Sequence, residues 1–202
     1  MVTERLGRSP TVDTLLLVGG VYLVQRVMAL LGRGITGLLA LAPPVGARPW
    51  TVVTSVYAHA TPGHLLGNAI ALLILGLIVE RGTTRARFHA FVVATGALGG
   101  LAEVYFNLLM GTEVAVLGIS GAVFALLGYV LTGNPLAGGA FRRLDLDSDV
   151  QLVLLAIIAG VIALVRTPKG AALIGHFTGL FLGLVAGRLR LLRVGEGDGA
   201  TP

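Results

Sequence analysis

Long apolar stretches alternate with short breaks that are rich in charge, glycine or proline. A helix needs about 20 mostly apolar residues to cross roughly 30 Å of hydrocarbon, and six stretches of this chain approach that length. We therefore expect a single bundle of six membrane-spanning helices, numbered here as the first to the sixth span. These spans are Asp13–Leu31, Gly63–Val79, Phe88–Met110, Val114–Thr132, Val150–Val165 and Ala171–Leu192.

The longest break separates the first span from the second and contains the apolar piece GITGLLALA. Nine residues are too few to cross a bilayer, so we expect an interfacial element here rather than a seventh span. The first span superficially resembles a signal peptide, and ALAPP at Ala40–Pro44 is a weak cleavage signal. Because the span carries Arg26 and no convincing cleavage site follows directly, we expect it to be retained.

Composition supports an integral membrane protein. The chain is 55% hydrophobic and 12% charged, with a mean hydropathy of +0.89, which is more apolar than a soluble domain tolerates. It contains no cysteine, which excludes disulfides, thiolate metal sites and a cysteine nucleophile. The net charge of +5 comes from arginines in the breaks, a distribution that indicates membrane topology and no nucleic-acid partner.

The same arginines predict the orientation. Ten of the fifteen basic residues lie in the N-terminus, the breaks after the second and fourth spans, and the C-terminal tail. The positive-inside rule then predicts a multi-pass protein of the cell membrane with both termini in the cytoplasm. We expect residues 1–12 to be a cytoplasmic segment, 13–192 the six-helix domain and 193–202 a cytoplasmic tail, so the even-numbered spans begin outside.

Four polar residues lie near the starts of the even-numbered spans: His64, Asn68, Ser120 and His176. Polar side chains are costly in a membrane helix and are usually paired or functional. His64 and Asn68 are four residues apart and so share a helix face. Ser120 and His176 each lie five or six residues into a span, which at 1.5 Å per residue is about 8 Å below the outer surface. All four are therefore expected at a common depth.

Small residues recur at helical spacing on two of these spans. They are Gly175, Gly179, Gly183 and Gly187 on the sixth span, and Gly121, Ala125 and Gly128 on the fourth. Such faces let two helix backbones approach closely. If they pack together, Ser120 and His176 come within reach of a hydrogen bond, as a nucleophile and general base do in a serine hydrolase.

Donors for an oxyanion can also be named. They are the backbone N–H of Ser120, near a helix N-terminus, and the side chains of Asn68 and His64. No carboxylate is assigned to orient His176, so a Ser-His dyad is the more economical hypothesis than a triad. Glu103 is the one acid well inside a span, and we expect it, like Arg26, to snorkel or to lie near the outer end.

Simpler interpretations exist for each residue taken alone. A serine in a membrane helix is commonly a small packing residue, and a histidine beside a glycine face often forms a hydrogen bond to a neighbouring helix. The coincidence of all four residues at one depth favours chemistry. A metal or proton transporter using His59, His64, Asn68 and His176 is the chief rival. It is weakened by the lack of a nearby carboxylate, an HExxH motif and inverted repeats, so we expect neither metal nor cofactor.

Three stretches carry a family resemblance that covers residues 59–190. HATPGHLLGN is similar to the H-x4-H-x3-N motif on helix 2 of the rhomboid intramembrane serine proteases. GISGAVFALLGY and GHFTGLFLG are similar to the motifs of helices 4 and 6 of that family. The resemblance implies an all-α membrane protein, a six-transmembrane-helix bundle with an embedded first loop, in which helix 5 gates substrate entry.

The resemblance also implies the roles of individual residues. Ser120 would be the nucleophile, His176 the general base, and His64 and Asn68 oxyanion donors. Supporting positions are His59, which shapes the outer cavity, together with Gly118, Gly121, Phe124 and Gly179. Two departures stand out: Phe124 replaces a tyrosine common in the family, and the family's Trp-Arg pair of the first loop is only partly present, as Arg48-Pro49-Trp50.

The implied function is a serine endopeptidase that cleaves transmembrane segments near the extracytoplasmic side. Its partners would be the lipid bilayer and single-span or multi-span membrane proteins, with no nucleic acid and no oligomeric state indicated. The alternative within the same fold is a catalytically silent rhomboid-like protein that binds membrane clients.

Overall fold

A computed structural model describes residues 9–133, 147–166 and 171–194. Within these residues the chain is helical, and strand-like pairing is limited to one isolated bridge. The α-helices are α1 (Pro10–Leu30), α2 (Thr36–Leu39), α3 (Thr51–Tyr57), α4 (Pro62–Val79), α5 (Arg85–Leu109), α6 (Ser120–Gly133), α7 (Ser148–Arg166) and α8 (Leu173–Arg188). The all-α bundle predicted from the sequence is confirmed, with the six predicted spans falling on α1 and α4–α8.

Length divides these six helices into two groups. By length and composition, α1, α5 and the stretch Pro62–Gly82 that contains α4 are each able to cross a membrane. The apolar stretches of α6, of α7 (Asp149–Val165) and of α8 are 10–17 residues long. The two largest differences from the predicted boundaries are that α6 begins six residues later than expected, and that α8 ends at Arg188 rather than Leu192.

The segment before α6 is extended because it pairs with the first loop. The backbone N–H groups of Leu41 and Val116 each donate to the other residue's carbonyl oxygen at 2.9 Å. This bridge satisfies the hydrogen-bonding groups of the Val116 backbone without a helix. The apolar pattern of the sequence does not indicate such a pairing. Ser120 therefore stands at the first position of α6 and not five or six residues inside a helix.

The first loop is a compact structure between α1 and α4, built from α2, a 3-10 turn at Val45–Ala47 and α3. Arg48 Nη1 donates to the carbonyl oxygen of Gly37 at 2.6 Å, and Trp50 Nε1 donates to that of Leu38 at 3.1 Å. Arg48 and Trp50 thus anchor the loop on its own backbone, although they do not form the family's adjacent pair. The α3 helix buries Val56 in the main core.

The ends of α1, α4 and α5 are tied together by polar contacts. Ser9, the N-cap of α1, donates to Glu80 Oε2 at 2.7 Å, and the backbone N–H of Thr11 donates to the same oxygen at 3.1 Å. Arg85 Nη2 lies 2.5 Å from Asp13 Oδ2. These contacts fix the end of the bundle opposite Ser120.

The closest helix pair is α6 with α8. A Cβ atom added at Gly179 would overlap the carbonyl oxygen of Gly121, and one added at Gly183 would overlap that of Ala125. The two backbones are therefore in direct contact along the glycine face, as the sequence predicted. Thr132 Oγ1 adds a hydrogen bond of 2.7 Å to the carbonyl oxygen of Leu184.

The Gly183→Ala substitution is expected to destabilise the bundle by at least about 1–3 kcal/mol, because the new methyl group meets backbone that cannot rotate away. Thermal unfolding in detergent measures the effect. Gly19→Ala on α1 is the matched control, since a Cβ there meets nothing within 4 Å. Equal melting temperatures for the two variants would contradict the close α6–α8 contact.

Candidate active site

Ser120 is positioned by the turn that precedes α6. The backbone N–H of Gly118 donates to the carbonyl oxygen of Ser55 on α3 at 2.8 Å. Gly118 itself has a φ of +121°, a conformation that glycine adopts without the steric penalty of a side chain. The turn ends at Ser120, whose N–H belongs to the first turn of α6, where such groups have no intrahelical acceptor.

His176 approaches this serine from α8. Its Nε2 atom lies 2.8 Å from Ser120 Oγ, within hydrogen-bond distance. The histidine side chain is buried, and the Phe124 ring stacks on it with centroids 4.4 Å apart and planes 17° from parallel. The packing of α6 against α8 therefore brings together the two residues that the sequence singled out, and Phe124 fixes the plane of the imidazole.

Asn68 and His59 form a second polar pair beside the serine. Asn68 Nδ2 lies 3.0 Å from His59 Nε2, and His59 Nδ1 lies 3.2 Å from the carbonyl oxygen of Tyr57. A carbonyl oxygen only accepts, so His59 carries its proton on Nδ1, and Nε2 accepts from Asn68. This leaves the second Nδ2 proton of Asn68 available to another acceptor.

His64 completes the group on α4. Its ring meets that of His59 edge to face, with centroids 5.0 Å apart. A Cβ atom added at Gly118 would lie 2.6 Å from His64 Cε1 and 3.7 Å from Asn68 Nδ2. Both side chains thus border the turn that leads to Ser120, and Gly118 lets the turn pass this close to them. Among the described residues no group of three or more His, Asp or Glu side chains is arranged to hold a metal ion.

A small cavity of about 30 Å³ adjoins the serine and the histidine. Its volume is sufficient for about two water molecules. The wall is mostly backbone and small side chains, including Ser55, Gly96, Gly99, Gly100, Gly121 and Gly175. The site therefore offers space for water directly next to Ser120.

Gln25 supports this site, although the sequence analysis did not select it. Its side chain is fully buried on α1. Gln25 Oε1 accepts from the backbone N–H of His59 at 3.1 Å, and Nε2 donates to Thr36 Oγ1 at 3.1 Å. An amide within an apolar span was the available signal, since such a group needs partners in the bundle.

Of the two alternatives predicted for Glu103, snorkelling to the surface is wrong. The residue is 8% exposed, and its Oε2 atom accepts from the backbone N–H of Gly175 at 2.9 Å. Glu103 faces α8 because a helix N-terminus offers unpaired N–H groups to a carboxylate. Arg26, by contrast, is partly exposed and lies over the Tyr22 ring at 5.0 Å.

Comparison with known proteins assigns the sequence of this chain to a family. A sequence model of the Rhomboid domain matches residues 46–193. The chain belongs to the rhomboid family of membrane proteins.

Individual relatives agree with that assignment. The chain is 28% identical over 137 residues to RHOMBOID-like protein 5 of Arabidopsis thaliana, covering 67% of this chain and 43% of that protein. It is 31% identical over 150 residues to an uncharacterised protein of Mycobacterium tuberculosis, covering 69% and 58%. It is 29% identical over 140 residues to rhomboid protease GlpG of Haemophilus influenzae, covering 68% of each chain. The chain thus spans about half the length of the first two relatives.

Replacement of Gln25 by leucine is expected to lower the free energy of unfolding by about 1–3 kcal/mol, because the buried N–H of His59 loses its acceptor. The Thr36 hydroxyl loses a donor at the same time. Unfolding in detergent, compared with the lipid-facing control Leu23→Ala, measures the loss. An unchanged stability of Gln25→Leu would show that this amide does not hold the first loop.

Proposed function

We propose that the protein is an intramembrane serine endopeptidase that cleaves transmembrane segments of membrane proteins near the extracytoplasmic side. The observation that carries the proposal is the 2.8 Å approach of His176 Nε2 to Ser120 Oγ, in a chain of the rhomboid family. The names of two relatives, rhomboid protease GlpG and putative rhomboid protease YdcA of Bacillus subtilis, support the same activity.

The pair supports acyl transfer in two halves. In the first, Ser120 Oγ attacks the scissile carbonyl carbon while His176 Nε2 takes the hydroxyl proton. The tetrahedral intermediate collapses, the C–N bond breaks, and the imidazolium returns the proton to the leaving amine. In the second half, water attacks the acyl carbon while His176 Nε2 takes its proton; the bond from that carbon to Ser120 Oγ then breaks, and the imidazolium returns the proton to Ser120 Oγ.

The developing oxyanion needs fixed donors that point to it. Ser120 provides its backbone N–H from the first turn of α6, and Asn68 provides the Nδ2 proton that His59 does not use. His64, beside the same turn, is the third candidate donor. His59 acts indirectly, since its tautomer fixes which atom of the Asn68 amide faces the serine.

Water and substrate each need something different to reach this site: water needs a cavity, and the substrate helix needs to unwind. The cavity beside Ser120 holds the water that hydrolysis consumes. A substrate helix must locally unwind first, because helical hydrogen bonds shield its carbonyl groups and unpaired backbone groups are costly in lipid. Glycine or serine near the cut weakens the substrate helix, and the side chains of glycine, alanine and serine are small enough to suit a cavity lined by glycines.

The proposal includes a multi-pass topology with both termini in the cytoplasm. Residues 1–12 and 193–202 then form the cytoplasmic ends of a domain that covers residues 13–192. The arginine distribution supports this orientation. In this orientation the turn before Ser120 lies at the extracytoplasmic side, and the contacts of Glu80 and Asp13 lie at the cytoplasmic side.

Ser120→Ala and His176→Ala are each expected to abolish cleavage of a model single-span substrate in liposomes, because each removes one half of the nucleophile and base pair. A fluorophosphonate should label the wild type and not Ser120→Ala. Thr112→Ala, in an exposed loop, is the control and should cleave normally. Full cleavage by Ser120→Ala would refute the proposal, and a wild type that is neither labelled nor active would favour a client-binding protein.

The topology is testable because the chain has no cysteine. Thr112→Cys should react with a membrane-impermeant maleimide in intact spheroplasts. Ala86→Cys, at the opposite end of α5 and also exposed, should react only after the membrane is opened. The reverse pattern would show that both termini lie outside.

A further inference from the structure

Glu103 is a buried carboxylate that the proposed mechanism does not use. It lies on α5 near the outer end of the bundle and is 8% exposed. An ionised carboxylate in such a place persists only when hydrogen bonds replace the lost water. The contacts of its two oxygens therefore indicate what the residue does.

One oxygen is held by α5 itself. Asn107, one helical turn further along, donates through Nδ2 to Glu103 Oε1 at 2.9 Å and to the Glu103 carbonyl oxygen at 2.9 Å. This pair of bonds fixes the carboxylate in one orientation. The second oxygen, Oε2, then points at α8.

The start of α8 lacks a cap of its own. Its N-cap residue is Ala172, which has no side-chain acceptor. The N–H of the third helical residue, Gly175, is one of those that a serine or aspartate cap would normally satisfy. Here it donates to Glu103 Oε2 at 2.9 Å in a buried hydrogen bond.

The same point is where α5 and α8 touch. A Cβ atom added at Gly175 would lie 3.0 Å from the carbonyl oxygen of Gly99, and one added at Gly99 would lie 2.9 Å from the carbonyl oxygen of Gly175. Contact between two glycine backbones sets the distance between α5 and α8. Without interlocking side chains, however, this contact does little to prevent one helix from sliding or rotating against the other. The hydrogen bond from Glu103 adds a directional constraint at this contact.

His176 directly follows Gly175. Any rotation or shift of the first turn of α8 therefore moves the imidazole relative to Ser120 Oγ, which it now meets at 2.8 Å. We propose, on the basis of the proposed function, that Glu103 is a positioning residue for the general base. Its carboxylate caps α8 from the neighbouring helix and thereby sets the register of His176.

This assignment differs from that of a triad acid. A triad carboxylate bonds the imidazole ring, whereas both Glu103 oxygens are engaged by Gly175 and Asn107. Glu103 acts through the backbone, and the negative charge also suits the positive end of the α8 dipole. The structure thus assigns to α5 a part in base placement without direct contact with the reacting groups.

The test compares Glu103→Ala with the wild type in proteoliposomes. A misplaced base slows chemistry without weakening substrate binding, so kcat should fall by about 10-fold to 100-fold while KM is unchanged. The rate of fluorophosphonate labelling at Ser120 should fall in parallel. Glu113→Ala removes an exposed acid in the loop after α5 and is the matched control.

A second variant separates positioning from general stability. Ala172→Ser, added to Glu103→Ala, supplies an N-cap acceptor within α8 itself. It should restore a large part of both kcat and the labelling rate. Melting temperatures of all variants are measured alongside, so that a loss of folded protein is not mistaken for a slower base.

The outcomes distinguish this inference from the proposed function. If the wild type cleaves and Ser120→Ala does not, a wild-type kcat and labelling rate in Glu103→Ala overturn the role of Glu103 alone. If Glu103→Ala does not fold, Glu103→Met is decisive, because methionine keeps the volume of the side chain and removes the oxygen that accepts from the Gly175 N–H. Lower kcat at constant KM in that variant supports positioning, and unchanged kcat refutes it. A wild type without activity or labelling removes both proposals.

Discussion

The backbone contact between α6 and α8 is the constraint on which the site depends. Glycine at Gly179 and Gly183 lets the two helices meet without intervening side chains, so residues at their outer ends approach to hydrogen-bond distance. With alanine or larger residues at these positions the helices would lie further apart. The side chains of Ser120 and His176 would then be too short to reach hydrogen-bond distance. The separation of the two helices therefore sets the distance between Ser120 Oγ and His176 Nε2, the two atoms of the proposed catalytic pair.

Around that contact, polar groups are held by partners from several helices. Gln25 of α1 binds the backbone of His59, His59 binds Asn68 of α4, and Glu103 of α5 binds α8. In lipid an unpaired polar group is expensive, so each of these bonds fixes a position as well as satisfying a group. The apolar helices thereby support a rigid polar site that loops alone would not hold.

Much of this arrangement was predictable from the chain. Six apolar runs predicted the helices, and the small residues of the fourth and sixth spans predicted the close contact that brings Ser120 to His176. These features are predictable because the apolar length of a helix and the small residues on its face depend only on residues that are close together in the sequence.

Long-range pairing was not predictable in the same way. The fourth span was placed six residues too early because the pairing of Val116 with Leu41 leaves no local trace in an apolar sequence. The orientation of Glu103 depended on where α8 begins, some 70 residues further along the chain. Gln25 carried a signal, a buried amide in a span, but nothing in the sequence named His59 as its partner.

The bond from Gln25 also bears on where the functional unit begins. The Rhomboid domain match starts at residue 46, yet Gln25 and Leu41 lie before it and hold the residues on either side of the site. A fragment cut at the recognised domain border would retain every motif and lose both supports. In a shortened version of this protein, a border set by these hydrogen bonds rather than by sequence similarity would keep α1.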